Sequence, residues 1–299
     1  MPELPEVEAL RLSLLPLVVG QKILQTEVLH PKLVSSAGTK RLALSEKAKE
    51  FIAKTQGQTI VNITRRAKNL LVELSSGGYI LIHLKMTGQL VYKTSFSGPT
   101  VWGGHPIQLS HQELPNKHTY LIFQLQNGTL FYNDVRQFGY LLVFDSLEAV
   151  YQSGHLDNLG LEPLSSEFTL DRFIQAMQQR RGNLKKLFLD QRVVVGLGNI
   201  YADEVCFRAG VRPTRTVESL KLKDLKNLYT AITQILPEAI QDGGSSVANY
   251  LLADGQKGNF TRKHFVYNRG GEKCKLCAST LRQIKLAGRT TVYCPKCQK

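Results

Sequence analysis

Residues 59–92 read TIVNITRRAKNLLVELSSGGYILIHLKMTGQLVY, and this stretch decides the fold class. TIVNITRR, NLLVEL and YILIHLKM are short runs dense in Val, Ile, Leu and Tyr, and Ser75 to Gly78 between the last two has the composition of a turn. Runs of this length bounded by turn residues are strands rather than helices. The same texture continues outwards in KILQTEVL, TYLIFQLQ, TLFYNDV and YLLVF, so Lys22 to Phe144 is β-rich, and Asn127-Gly128 marks a hairpin. A β-sandwich or barrel is expected here. Upstream, PELPEVEALRLSLLPLVVG places Pro5 near a helix start, Val7, Leu10 and Leu14 at helical spacing, and Gly20 as a stop, which predicts a leading helix. Ser95 to Asn116, rich in Gly, Pro, Ser and His without periodicity, reads as a long surface loop.

Beyond Leu156 the alternation gives way to helical patterning, at roughly 166–179, 184–190, 200–209 and 219–241. A Gly-rich stretch over 242–260, DGGSSVANYLLADGQKGNF, follows and reads as a mobile segment. With 299 residues, 42% of them hydrophobic, the chain is long enough for more than one core, and wholesale disorder is excluded. The expected class is α+β. A β-sandwich with a leading helix over 1–155 is followed by a helical domain over 156–262 and a small hairpin domain over 263–299.

Charge is unevenly placed. The chain carries 38 Lys and Arg against 24 Asp and Glu, a formal net charge of +14. Residues 251–299 hold 11 basic and 2 acidic residues, and so supply +9 of that excess. A folded tail of this density points to a phosphate-bearing, anionic partner. The longest apolar runs span about six residues against the roughly 20 that a membrane helix needs, so no membrane partner is expected. Three acids among the first eight residues and no apolar segment exclude a secretory signal and make a cytoplasmic protein the expectation.

Four of the five cysteines fall in Cys274-Lys-Leu-Cys277 and Cys294-Pro-Lys-Cys297, with 16 residues between the pairs. Each CxxC presents two thiolates to one side of a tetrahedral ion, and 16 residues suffice for a hairpin that returns the chain, so one structural zinc ion is expected. Two disulfides are the alternative, disfavoured in a reducing compartment. Cys206, in ADEVCFRAG, reads as a small buried hydrophobe.

Pro2 follows the initiator. If Met1 is removed, Pro2 becomes a free secondary amine, and an α-amino group with a pKa near ~8 is partly neutral at pH 7 and able to attack a carbonyl-type carbon. Glu3 and Glu6 lie three apart at the helix start, where one carboxyl could move protons, or where both could simply favour the helix dipole.

Six motifs in series then converge: MPELPEVE, RRAKNLL (65–71), HLKMTG (83–88), DVRQFG (134–139), GLGNIYADEV (196–205) and RTTVYCPKCQK (289–299). Together they resemble the formamidopyrimidine-DNA glycosylase family across the whole chain. The resemblance implies a helix-two-turns-helix helical domain and a bifunctional glycosylase and abasic-site lyase of base excision repair. Such an enzyme removes 8-oxoguanine and formamidopyrimidines from double-stranded DNA through a proline Schiff base and β,δ-elimination. It implies Pro2 as nucleophile, Glu3 as proton donor and shuttle, Glu6 in support, Lys68 as proton donor for β-elimination and Arg289 for δ-elimination. Met86, Arg136 and Phe138 match the wedge that fills the gap left by a flipped nucleotide. Asn199 reads as an N-cap at a phosphate-binding helix start; Arg181 and His118 match phosphate contacts, and Lys185, just upstream of that helix start with Arg181, is expected among the DNA-binding residues. A monomer associated with the bacterial nucleoid is the expected form.

Three positions depart from the pattern. Gln137 stands where many members have a second basic residue, the 95–116 loop is longer than usual, and Thr87 offers no acidic contact to a flipped base. Two other readings stay open: an endonuclease VIII-like glycosylase for oxidised pyrimidines, which carries a different wedge, and a non-catalytic zinc-dependent DNA-binding module.

Overall fold

Residues 1–36, 44–95, 100–104, 114–245 and 259–299 are described by a computed structural model, 100–104 as backbone alone. They cluster into two units: Met1–Pro2 with Glu6–Asp157, and Glu3–Pro5 with Asn158–Ser245 and Asn259–Lys299.

The leading helix, α1 (Leu4–Val18), belongs to the first unit from Glu6 onwards and precedes strands β1 (Ile23–Val28) and β2 (Val34–Ser36) and helix α2 (Leu44–Thr55). Then come β3 (Ile60–Arg66), β4 (Asn69–Leu74), β5 (Tyr79–His83), β6 (Gly88–Thr94), β7 (Thr100–Gly104), β8 (Thr119–Leu125), β9 (Gly128–Asp134) and β10 (Tyr140–Phe144), closed by α3 (Leu147–Gln152). Two five-stranded sheets result, ordered β1-β8-β9-β6-β7 and β2-β10-β5-β4-β3. Pairing is antiparallel except between β2 and β10. Val7, Leu10, Leu14 and Val18, one face of α1, share an apolar cluster with Ile63, Leu70, Val72, Ile80 and Ile82 of one sheet and Leu90, Phe123 and Leu130 of the other. Each such burial is worth about 1.5–3 kcal/mol. The β8–β9 hairpin falls where Asn127-Gly128 placed it, and Gly128 is needed for space: a Cβ there would meet Lys93 O at 2.5 Å.

Two elements depart from expectation. The stretch 95–116 contains a strand, β7, which widens the first sheet with Val91 opposite Trp102; residues 96–99 and 105–113 lie outside the described residues. Helix α2 was not anticipated, because it buries only Phe51 and Thr55, too sparse a stripe to read as periodic.

The second unit contains α4 (Leu170–Gln178), α5 (Leu184–Leu189), α6 (Asn199–Arg208), α7 (Leu222–Gln241), α8 (Phe260–Lys263) and the hairpin β11 (Arg282–Leu286) and β12 (Arg289–Tyr293). Helix α7 buries Leu225, Leu228, Ile232, Ile235, Leu236 and Ala239, an amphipathic spacing, whereas α6 is buried nearly all round, from Ile200 to Phe207. The hairpin clusters with these helices. Phe207 of α6 packs with Val266, Leu281, Val292 and the cysteines, and Arg212 donates to the carbonyls of Pro295 and Gln298. Of the Gly-rich stretch 242–260, residues 246–258 lie outside the described residues.

Candidate active site

In the first unit Pro2 is buried and Met1 is 45% exposed. Glu6, in the first turn of α1, is buried as well. Lys68 occupies the two-residue turn between β3 and β4, where Arg66 faces Asn69, and is only 5% exposed, so it is not the solvated hairpin lysine that its neighbours Arg65 and Arg66 would suggest. Ala67 before it has φ +54, a strained value for a residue with a Cβ. What holds the turn is a charge network that the sequence reading missed. Glu8 accepts from Arg11 and, at 2.8 Å, from Arg65 Nε, and Arg65 also donates to the Ala67 carbonyl at 2.8 Å. Burial pushes the Glu8 carboxyl up, but the two guanidinium groups outweigh it and hold it below the usual carboxylate range. His83, opposite Asn69 in the β4–β5 register, is kept neutral: burial, then Lys85 and Lys68, push its imidazole down to about 3.

The proposed wedge comes from two turns of the same unit. Met86 and Phe138 are 37% and 53% exposed, so neither packs in the core. The Arg136 guanidinium lies 4.7 Å from the Phe138 ring centroid. Asp134, fully buried at the end of β9, staples the two turns together. It accepts from the Thr87 hydroxyl, from Arg136 N at 3.2 Å and from Gly139 N at 2.7 Å, while Thr87 Oγ1 accepts from Arg136 N at 3.0 Å. Thr87 is therefore a brace, and the departure noted at that position has a structural use. Gln137 sits at φ +56, and a Cβ on Gly139 would crowd the Tyr132 hydroxyl and meet the His83 carbonyl oxygen at 2.9 Å. His118 lies in the turn ahead of β8 rather than in a strand, its carbonyl accepting from Asp134 N.

In the second unit Glu3 is 3% exposed and caps α6: its carboxylate accepts from Ile200 N at 2.9 Å and Tyr201 N at 3.3 Å. Two expectations are corrected by this. The N-cap of α6 is Gly198, not Asn199, and the helix start expected to bind a phosphate has two of its N–H groups engaged by Glu3. The glycines of GLGN make the approach possible. A Cβ on Gly198 would collide with the Glu3 carboxylate, one on Gly196 would meet Leu4 at 2.5 Å, and Leu4 N donates to Gly196 O.

Lys185 requires a larger correction. It was expected near a phosphate, yet it is fully buried on α5 and bonded to Asp203 Oδ1 at 2.6 Å and to Thr290 O at 3.2 Å. Its charge is spent inside the protein. Asp203 Oδ2 accepts from Val292 N at 3.1 Å, and Asn199 Nδ2 donates to the same Thr290 carbonyl at 3.1 Å. Above this network a cavity of about 350 Å³ is lined by Asn199, Asp203, Tyr267, Asn268, Arg289 and Thr290. Arg289 is exposed at the start of β12 and belongs to the wall of that cavity; Arg181 stands exposed before α5, apart from it. Glu204, buried next to Asp203, accepts from the backbone amides of Phe265, Val266 and Tyr267 and thereby fixes the loop that presents Tyr267. Two adjacent acids, Asp203 and Glu204, within the buried stretch Ile200 to Phe207 were the available signal for both partners.

The four cysteine Sγ atoms lie within 4.8 Å of one another. Cys274 and Cys297 are 3.9 Å apart and Cys277 and Cys294 are 3.5 Å apart, far beyond a disulfide bond and close to the ~3.8 Å edge of a tetrahedron with Zn–S near 2.3 Å. Leu276 N points to Cys274 Sγ and Cys297 N to Cys294 Sγ, as thiolate ligands require. The set fits one structural zinc ion.

Comparison with known proteins extends over the same ground. Residues 1–141 match the formamidopyrimidine-DNA glycosylase N-terminal domain, 159–250 the formamidopyrimidine-DNA glycosylase H2TH domain, and 271–299 the zinc finger found in FPG and IleRS. A formamidopyrimidine-DNA glycosylase of Pelotomaculum thermopropionicum is 39% identical, with 100% of this chain and 99% of the relative covered. The chain belongs to the formamidopyrimidine-DNA glycosylase family. Solved family structures agree. Wild-type Lactococcus lactis Fpg in complex with N7-benzyl-Fapy-dG DNA superposes with a TM-score of 0.83, and the same protein with oxidised-pyrimidine DNA gives 0.82, each at 32% identity and full coverage of both chains. As a family member the chain holds its zinc on Cys274, Cys277, Cys294 and Cys297. Among the described residues no helix is long and apolar enough to cross a membrane.

Proposed function

We infer that this chain is a DNA glycosylase and abasic-site lyase of base excision repair that acts on oxidised purines in double-stranded DNA. Membership of the family along the full chain carries the reaction class. The residue roles rest on the motifs and on what surrounds each side chain.

Pro2, once Met1 is removed, is the nucleophile. Its lone pair adds to C1′ while the glycosidic bond breaks, and the base leaves with that electron pair and takes up a proton. Opening of the sugar at O4′ and loss of the amine proton give a C1′ iminium. Loss of a C2′ proton then breaks C3′–O3′, and loss of a C4′ proton breaks C5′–O5′, so a one-nucleotide gap with phosphate ends remains. Glu3 and Glu6 handle protons beside the amine, Lys68 is the proton donor for β-elimination and Arg289 serves δ-elimination. The burial of Pro2, Glu3, Glu6 and Lys68 supports these roles, because each polar group is held away from bulk water. Zinc, when bound, holds the hairpin that carries Arg289 and takes no part in the chemistry.

Flipping a nucleotide out of a duplex loses a few kcal/mol of stacking and pairing. Met86, Phe138 and Arg136 are the wedge that fills the space, and their exposure on a stapled pair of turns supports this. Arg181 and His118 contact phosphates; Asn199 acts through the Thr290 carbonyl and the cavity wall. One chain supplies nucleophile, wedge and zinc hairpin, which supports a monomer working at the bacterial nucleoid in the cytoplasm.

Excision rates on duplexes with 8-oxoguanine opposite cytosine, compared with an oxidised thymine, test the lesion class. The purine duplex is expected to be processed at least about ten-fold faster. Preference for the thymine lesion would move the chain to the endonuclease VIII-like reading.

A further inference from the structure

We propose that the buried Lys185–Asp203 pair is a positioning device that aims Arg289, a role that rests on the reading of Arg289 given above. Alternate residues of a strand direct their backbone groups to the same edge. Thr290 and Val292 are two apart on β12, and in the hairpin register they face Lys285 and Gln283. Their carbonyl and amide are taken not by β11 but by side chains of the helices: Thr290 O by Lys185 Nζ and Asn199 Nδ2, and Val292 N by Asp203 Oδ2. The pair thus stands in for a third strand on the far edge of β12, with one contact immediately after Arg289 and one three residues after it.

The chemistry of the pair argues for positioning over stability. Lys185 and Asp203 are 0% and 1% exposed, and a fully desolvated ion pair is seldom worth more than apolar residues of equal volume. Its particular property is directional. The ammonium reaches Asp203 and Thr290 at once, while the two carboxylate oxygens are divided between Lys185 and Val292, so that β12 has one register in which all three bonds form. A one-residue slip would turn Arg289 to the opposite face of the hairpin. Arg289 lines the cavity of about 350 Å³ with Asn199 and Asp203, so the groups that fix its backbone also border the space it serves.

Two variants test this: Lys185→Met combined with Asp203→Leu, which keeps the volume apolar, and Asp203→Asn, which cannot accept from both Lys185 and Val292. Each is measured on an abasic-site duplex for zinc content, thermal midpoint, rate of borohydride trapping, and the rate at which the β-elimination product converts to the β,δ-product. Zinc, folding and trapping are expected to stay near wild type while β-to-δ conversion falls at least about ten-fold, as small misplacements of a reacting group do. Wild-type conversion in a folded, zinc-loaded variant overturns the proposal. Loss of zinc or of the fold in both variants also overturns it, because the pair would then be holding the hairpin together. Arg289→Ala measured alongside keeps the two claims apart: unchanged δ-elimination there refutes the role of Arg289 itself.

Discussion

Glu8 illustrates what one residue does for the site. It draws Arg11 of α1 and Arg65 of β3 together, and Arg65 in turn holds the Ala67 carbonyl next to Lys68. Its carboxyl lies below the usual carboxylate range when folded, so it contributes stability that is present above the unfolded value and is lost as pH falls through the folded one. Glu8→Gln should therefore cost about 1–3 kcal/mol at pH 7 and flatten the acid side of the stability curve, read by urea unfolding of both proteins between pH 7 and 3. Parallel pH curves would show that the network contributes nothing. At this scale the sequence was legible where chemical identity is itself the signal, as with the four cysteines, and illegible where burial decides. Lys185 and Lys68 look alike as letters, and only the structure shows that one ammonium is bonded to Asp203 inside the helical unit and that the other lies nearly buried in the turn between β3 and β4.

Among elements, the zinc hairpin is the one that cannot stand alone. Among the described residues its apolar cluster consists of Phe207, Phe265, Val266, Leu281, Val292 and the cysteines, too few to fold β11 and β12 without the ion. Cys294→Ser should lose zinc and weaken DNA affinity by at least about ten-fold, since phosphate-binding basic residues lose their scaffold. Unchanged DNA binding in a zinc-free variant would contradict the assignment. The strands from β3 to β6 were readable because their apolar runs are short and their turns explicit. Helix α2 was not, since two buried residues make no period, and neither was β7, five residues ending in two glycines that the backbone register pairs with β6. The start of α6 was legible as a site and misread in detail: the glycines that suggested a phosphate seat leave room for Glu3.

Over the whole molecule, the charge excess and the reacting groups are distributed differently. The last 49 residues carry +9 of the +14, while the proposed nucleophile stands at the other end of the chain. An enzyme that grips a polyanion with one part and opens a sugar with another needs both, whereas a binding module needs only the basic part. That contrast makes the covalent intermediate the decisive observable. Borohydride reduction of the protein with duplex DNA bearing 8-oxoguanine opposite cytosine is expected to yield a stable protein–DNA adduct when the chain begins at Pro2, and none when Met1 is retained. An adduct formed by the capped chain, or a duplex that is bound but neither linked nor cut by the chain beginning at Pro2, would contradict it.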